Sequence, residues 1–169
     1  MIALDAGLLA LAVNRYAPGH ARAAALLESL AEGDTPWALP WSAVHEFLAF
    51  VTHRHAVART LGAEDAWGFI AALSRSPSVR FLGPGPRHAA VAAEVLSLGR
   101  SREPLTLDAA FTTAVLLREH GIRELLSTDP GMRRWAFLEV RDPIEGEPWS
   151  PTTRPSRRYR TLSPRRSRG

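Results

Sequence analysis

The 169-residue chain contains no cysteine and no lysine. The first absence removes disulfides, thiolate catalysis and any Cys-ligated zinc or cluster. The second removes Schiff-base chemistry and the lysine of a phosphate-binding P-loop. No apolar run approaches the roughly 20 residues of a membrane span, so no membrane partner is expected. The opening residues lack a basic segment and begin on a strand-like pattern, so no secretory leader is expected and the expected location is cytoplasmic. Acids are missing from one place: residues 150–169 hold seven arginines and no carboxylate. Residues 1–149 hold fourteen arginines against all seventeen acids, a net charge of −3. The formal charge of +4 therefore belongs to a tail, and the body is mildly acidic.

What is present reads as one domain. A hydrophobic fraction of 46% over this length suffices for a real core. Strand-like and helix-like stretches alternate. Ile2–Asp5 reads as a strand, with a helix from about Gly7. Residues His20 to Glu32 carry Ala23, Leu26, Leu27 and Leu30 at i, i+3, i+4, i+7, an amphipathic helix stopped by Gly33. Pro36–Leu39 reads as a strand stopped by Pro40, and Ser42 as the N-cap of a helix to about His53. A helix over Ala63–Ser74, a strand over Val79–Leu82 and a helix over Pro86–Leu98 ending at Gly99 follow. Thr106 then caps a helix to His120, stopped by Gly121, and "RELLSTD" and "FLEVRD" supply two more strands. This alternation predicts a parallel sheet covered on both faces, with any site at the carboxyl ends of its strands. The expected domain spans residues 1–145. From 146 to 169 the Pro/Arg/Ser-rich composition predicts a disordered basic tail.

Four carboxylates stand out from acids that simply face water. Asp5 ends the first strand, where an N-cap role and a site role both fit. Glu46 in "SAVHEFLAFVTH" opposes the stripe Val44, Phe47, Leu48, Val51, yet Ala43, Ala49 and Phe50 flank it. A helix apolar on both sides predicts burial, with an arginine pair or an inward-pointing acid as the two readings. Asp108 in "LTLDAAFTTAVLL" heads the stripe Asp108, Phe111, Thr112, Val115, where the helix dipole also favours an acid. Asp129 in "LLSTDPGM" suits a turn or cap before Pro130 as well as a site. Were the four to converge, each pair ~4 Å apart would repel by ~4 kcal/mol at an effective dielectric near 20. Protons or divalent cations must then compensate, and oxygen-only ligands suit Mg²⁺ or Mn²⁺. His45, His53 and His55 form no zinc-like spacing, and Ser42 lacks a G-x-S-x-G elbow, so a serine hydrolase is disfavoured. Trp37 and Trp41 fit the core better than base stacking. Arg15, Arg54, Arg59, Arg75, Arg80, Arg100 and Arg102 are available to bind phosphates.

In order and spacing, "IALDAGLLA", "LPWSAVHEFLAFVTH", "PGPRHAAVAAEVL", "LTLDAAFTTAVLLREHGIRELLSTDPGM" and "FLEVRDP" resemble the PIN domain of VapC toxin ribonucleases. The resemblance covers residues 1–143. It implies a three-layer α/β/α sandwich with a mainly parallel sheet, endoribonuclease activity on an RNA substrate, and Mg²⁺ or Mn²⁺ held by Asp5, Glu46, Asp108 and Asp129. It also implies a small VapB-like antitoxin partner and a homodimer. The chain departs from the family pattern twice. Ala6 and Gly7 stand where the family has Thr or Ser, then Asn, and Gly131 stands where it has a further Asp. Ser127 keeps a hydroxyl common before the last acid. These departures define an alternative, a catalytically weakened PIN scaffold that binds RNA or antitoxin without turnover.

Overall fold

The computed structural model describes residues 1–54, 59–98 and 109–150. Among them, strands β1 (Ile2–Leu4), β2 (Trp37–Pro40), β3 (Val79–Leu82), β4 (Glu124–Leu126) and β5 (Glu139–Arg141) form one sheet. Its order is β3-β2-β1-β4-β5, and every neighbouring pair is parallel. Side chains alternate across it, as the two-residue strand period requires. Ile2, Leu4, Trp37 and Leu39 enter one core, and Ala3, Ala38 and Leu125 the other. The first core is closed by α1 (Ala6–Val13), α2 (His20–Glu32), α3 (Trp41–Thr52) and α4 (Ala63–Leu73). The second is closed by α5 (His88–Leu98), α6 (Ala109–Glu119) and a short 3-10 helix, Pro130–Arg134. The result is the three-layer α/β/α sandwich.

Local sequence explains most of these elements. The stripe of α2 is buried as its spacing predicts, and its three leucines contribute about 1.5–3 kcal/mol each by leaving water. Trp37 is fully buried, with its indole N–H donating to Ser78 Oγ at 3.2 Å. The junction of β2 and α3 differs from expectation. Pro40 is the last residue of β2 and the N-cap of α3, because its φ of −63° and ψ of 138° suit a strand end that leads into a helix. Ser42 therefore lies inside α3 rather than capping it. Its buried hydroxyl meets Thr113 Oγ1 of α6 at 2.6 Å, tying those two helices together. Thr112, placed on the inward stripe by spacing, is exposed, and Thr113 takes the buried position. Gly99 and Thr106 lie outside the described residues. At the other end, the partly buried Trp149 packs against the first core, while 151–169 are not described.

The connection from β3 to α5 is held by one carboxylate. Glu119, the last residue of α6, accepts from Gly85 N at 3.1 Å, Arg87 N at 3.0 Å and His88 Nδ1 at 2.9 Å. Desolvation works to raise its pKa, but the three donors together outweigh it and hold the carboxyl below the ordinary glutamate range. A depressed carboxylate stabilises the fold above its unfolded pKa, and that contribution fades as pH falls through the folded value. Glu119→Gln should accordingly lower the urea midpoint near neutral pH. The gap to wild type should close as pH falls through the folded pKa of Glu119, below which both side chains are neutral.

Candidate functional site

Chain order and sheet order together fix where a site can form. β2 and β3 step away from β1 on one side, and the chain then crosses to place β4 on the other. The seam between β1 and β4 is thus the topological switch point, where open α/β sheets bind ligands beyond the carboxyl ends of their strands. The register Leu4↔Leu126 puts the next residues, Asp5 and Ser127, side by side at that end. Asp5 N donates to Leu126 O at 3.1 Å, continuing the ladder one step.

The side chains at this seam form a short polar chain. Asp5 is 7% exposed, and its Oδ1 accepts from Ala6 N at 2.6 Å as the cap of α1. Ser127, 2% exposed, donates its hydroxyl to Asp5 Oδ2. The Ser127 hydroxyl oxygen in turn accepts from Asp129 N at 2.9 Å. Asp129 Oδ1 in turn accepts from Gly131 N at 2.8 Å, capping the 3-10 helix. The bland readings of both aspartates are realised, yet neither exhausts the carboxylate. Each oxygen has two lone-pair directions, and these bonds use one of them on three oxygens. Burial raises the Asp5 pKa most, and the charge of Asp129 raises it further. The bonds from Ser127 and Ala6 act in the opposite direction without cancelling the rise.

Asp5, Asp129 and Glu46 line one cavity of about 220 Å³, together with Ala6, Gly7, Phe50, Ala110, Thr128 and Met132. Glu46 comes from α3 and is exposed, as are Ala49 and Phe50. Of the apolar second face predicted for this helix, Ala43 is core, Ala49 is exposed and Phe50 is a cavity wall. Asp108 lies outside the described residues, two positions before the lining residue Ala110. Among the described residues no group of three His, Asp or Glu side chains stands close enough to hold a metal ion. His45 is exposed and packs on Trp41, with ring centroids 5.8 Å apart, away from the cavity lining.

Both departures from the family pattern have local causes. A Cβ on Gly7 would meet Thr128 Oγ1 at 2.6 Å, so the Thr128 hydroxyl occupies the space a side chain at 7 would need. A Cβ on Gly131 would meet Asp129 Oδ1 at 3.0 Å, because that carboxylate folds onto the Gly131 N–H. Thr128 escaped sequence reasoning. Its role follows from contact across 121 positions, for which the local pattern "LLSTDPGM" carries no signal.

No family model matches the chain. Ribonuclease VapC33 of Mycobacterium tuberculosis is 32% identical over 147 residues, covering 85% of this chain and 99% of that protein. Among solved structures, Mycobacterium tuberculosis VapC20, a sarcin–ricin loop cleaving toxin, aligns with a TM-score of 0.60 at 20% identity. That alignment covers 84% of this chain and 100% of VapC20. VapBC2 from Rickettsia felis, bound to a DNA fragment from their promoter, aligns with a TM-score of 0.59 at 13% identity over 83% of this chain and 98% of that one. At these identities the two structures speak for the fold.

Proposed function

Because this chain belongs to the VapC ribonuclease family, we propose that it is a divalent-metal-dependent endoribonuclease, the toxin of a toxin–antitoxin pair. The observation that carries the proposal is the buried Asp5 carboxylate at the switch point, sharing one cavity with Asp129 and Glu46. A carboxylate disfavoured by burial and by a neighbouring acid is an anion in want of a cation. The donor set is all oxygen and fits a hard ion such as Mg²⁺ or Mn²⁺.

Asp5 and Asp108 are assigned as the direct ligands, Asp129 as a ligand directly or through water, and Glu46 as the group that orients the attacking water. The ion, when bound, lowers the pKa of a water and stabilises charge on the phosphodiester oxygens. Ser127 holds Asp5 and the Asp129 backbone in one arrangement, the part outer hydrogen bonds play around ligating carboxylates. Partners of the proposed protein are an RNA substrate, a small VapB-like antitoxin and a second copy of the chain. The antitoxin assignment is supported by the likeness to a chain of the VapBC2 structure. Among the described residues no helix is long and apolar enough to cross a membrane. Residues 146–169 are assigned as a basic extension beyond the nuclease domain.

Incubation of the purified protein with total RNA should give discrete fragments with Mn²⁺ and none with chelator. Asp108→Asn should cut at least about 100-fold more slowly, a loss no smaller than that of an outer-shell partner. A weakened scaffold, favoured by Ala6, Gly7 and Gly131, would bind RNA without producing fragments under either condition.

A further inference from the structure

A second cavity, of about 740 Å³, adjoins the acidic one and shares Gly7, Ala10, Phe50 and Thr128 with it. Its rim carries Arg15, Tyr16 and Arg59. Tyr16 is 61% exposed, unusual for a large aromatic side chain with apolar surface close by. Both guanidinium groups converge on it. Arg15 Nη2 and Arg59 Nη1 each donate to the Tyr16 hydroxyl at 3.0 Å. Their central carbons lie 5.0 and 4.8 Å from its ring centroid, within cation–π range. Two cations bonded to one oxygen stand no further apart than the two bonds allow. Among the described residues neither meets a carboxylate at ion-pair distance.

We propose that Arg15, Tyr16 and Arg59 form a phosphate- and base-binding subsite that holds the RNA strand alongside the scissile bond. The inference rests on the ribonuclease reading above. Three observations choose RNA as the occupant. The two fixed cations lie on a body whose net charge is negative, so they are a local exception. Paired planar guanidiniums suit a phosphate, which they contact bidentately. An exposed phenol beside an apolar-walled space offers a stacking platform, as sites for single-stranded nucleic acid do. The shared wall lets one strand run from this space into the acidic cavity without leaving the surface.

The test uses the full chain, a fluorescein-labelled RNA hexamer with 2′-O-methyl groups, and chelator, so that binding is read without cleavage. Anisotropy should show Arg15→Gln/Arg59→Gln binding about 10–100-fold more weakly than wild type. The slope of log K against log salt should fall by about 0.7, the value for one phosphate neutralised on a single strand. Tyr16→Ala should weaken binding with little change in that slope. All three side chains are exposed, so melting temperatures should stay at the wild-type value. Unchanged affinity in the double variant, with wild type still cutting RNA in Mn²⁺, overturns the subsite alone. Wild type that neither binds nor cuts RNA overturns both readings. A polyglutamate peptide that binds the arginine pair more tightly than the hexamer would make this a protein-docking surface and overturn the assignment to RNA.

Discussion

Replacing Asp5 by Asn should abolish metal-dependent RNA cleavage and yet raise the melting temperature of the metal-free protein at neutral pH. The second half follows from burial. The Asp5 pKa is raised in the folded state, first by desolvation, so its ionised form subtracts stability that an amide does not. The linkage sign is fixed: a carboxylate with a raised folded pKa destabilises at pH values above that pKa. The deficit shrinks as pH falls and is gone below the unfolded value. Asn keeps an oxygen for the Ala6 N–H and an amide donor for Ser127 Oγ, whose hydroxyl can rotate, so the fold loses no bond. Each 1 kcal/mol relieved is about 2–4 °C in a domain of this size. Saturating Mn²⁺ should reverse the order. Wild type gains about 2.7 kcal/mol at a metal concentration 100 times its Kd, and D5N gains none. A stabilised, inactive variant separates this role from a purely structural N-cap, which Asn fills as well as Asp and whose replacement would leave cleavage unchanged.

Ser127→Ala should do the opposite, weakening both fold and site. One buried hydroxyl serves two partners, donating to Asp5 Oδ2 and accepting from Asp129 N. Alanine leaves a buried carboxylate short of a donor and a backbone N–H short of an acceptor. Unsatisfied groups of this kind cost about 1–3 kcal/mol. The Ser127 bond also works to lower the Asp5 pKa, so its removal should raise that pKa further. Metal affinity should then fall about 10–100-fold, and the acid limb of the pH–rate profile should move to higher pH. Ser127→Thr should restore the limb in so far as the hydroxyl keeps its direction. A variant that lost stability without moving the limb would make Ser127 a packing residue only.

The fold was legible in the sequence where burial is one-sided and local. The α2 stripe has its predicted bounds and inward face because Ala23, Leu26, Leu27 and Leu30 decide it among themselves. The Val79–Leu82 strand was equally plain. Position relative to strand ends made Asp5 and Asp129 visible, since a charge following an apolar strand breaks a two-residue pattern. Glu46, which lines the cavity, was singled out for a partly mistaken reason. Ala49 and Phe50 suggested a buried second face, whereas both are exposed and Phe50 borders the cavity. Apolar residues around a cleft and apolar residues in a core have the same spacing. Ser42 and Thr113 show the converse, because a hydroxyl pair across two helices mimics a cap when only one partner is read. Thr128 depends on the approach of two strand ends distant in sequence, which no local window contains.

The most direct measurement is calorimetric titration of Mn²⁺ into wild type and into D5N. The expected result is a saturable isotherm for wild type and no isotherm for D5N. Equal heats and equal affinity in the two proteins would contradict a metal site built on Asp5.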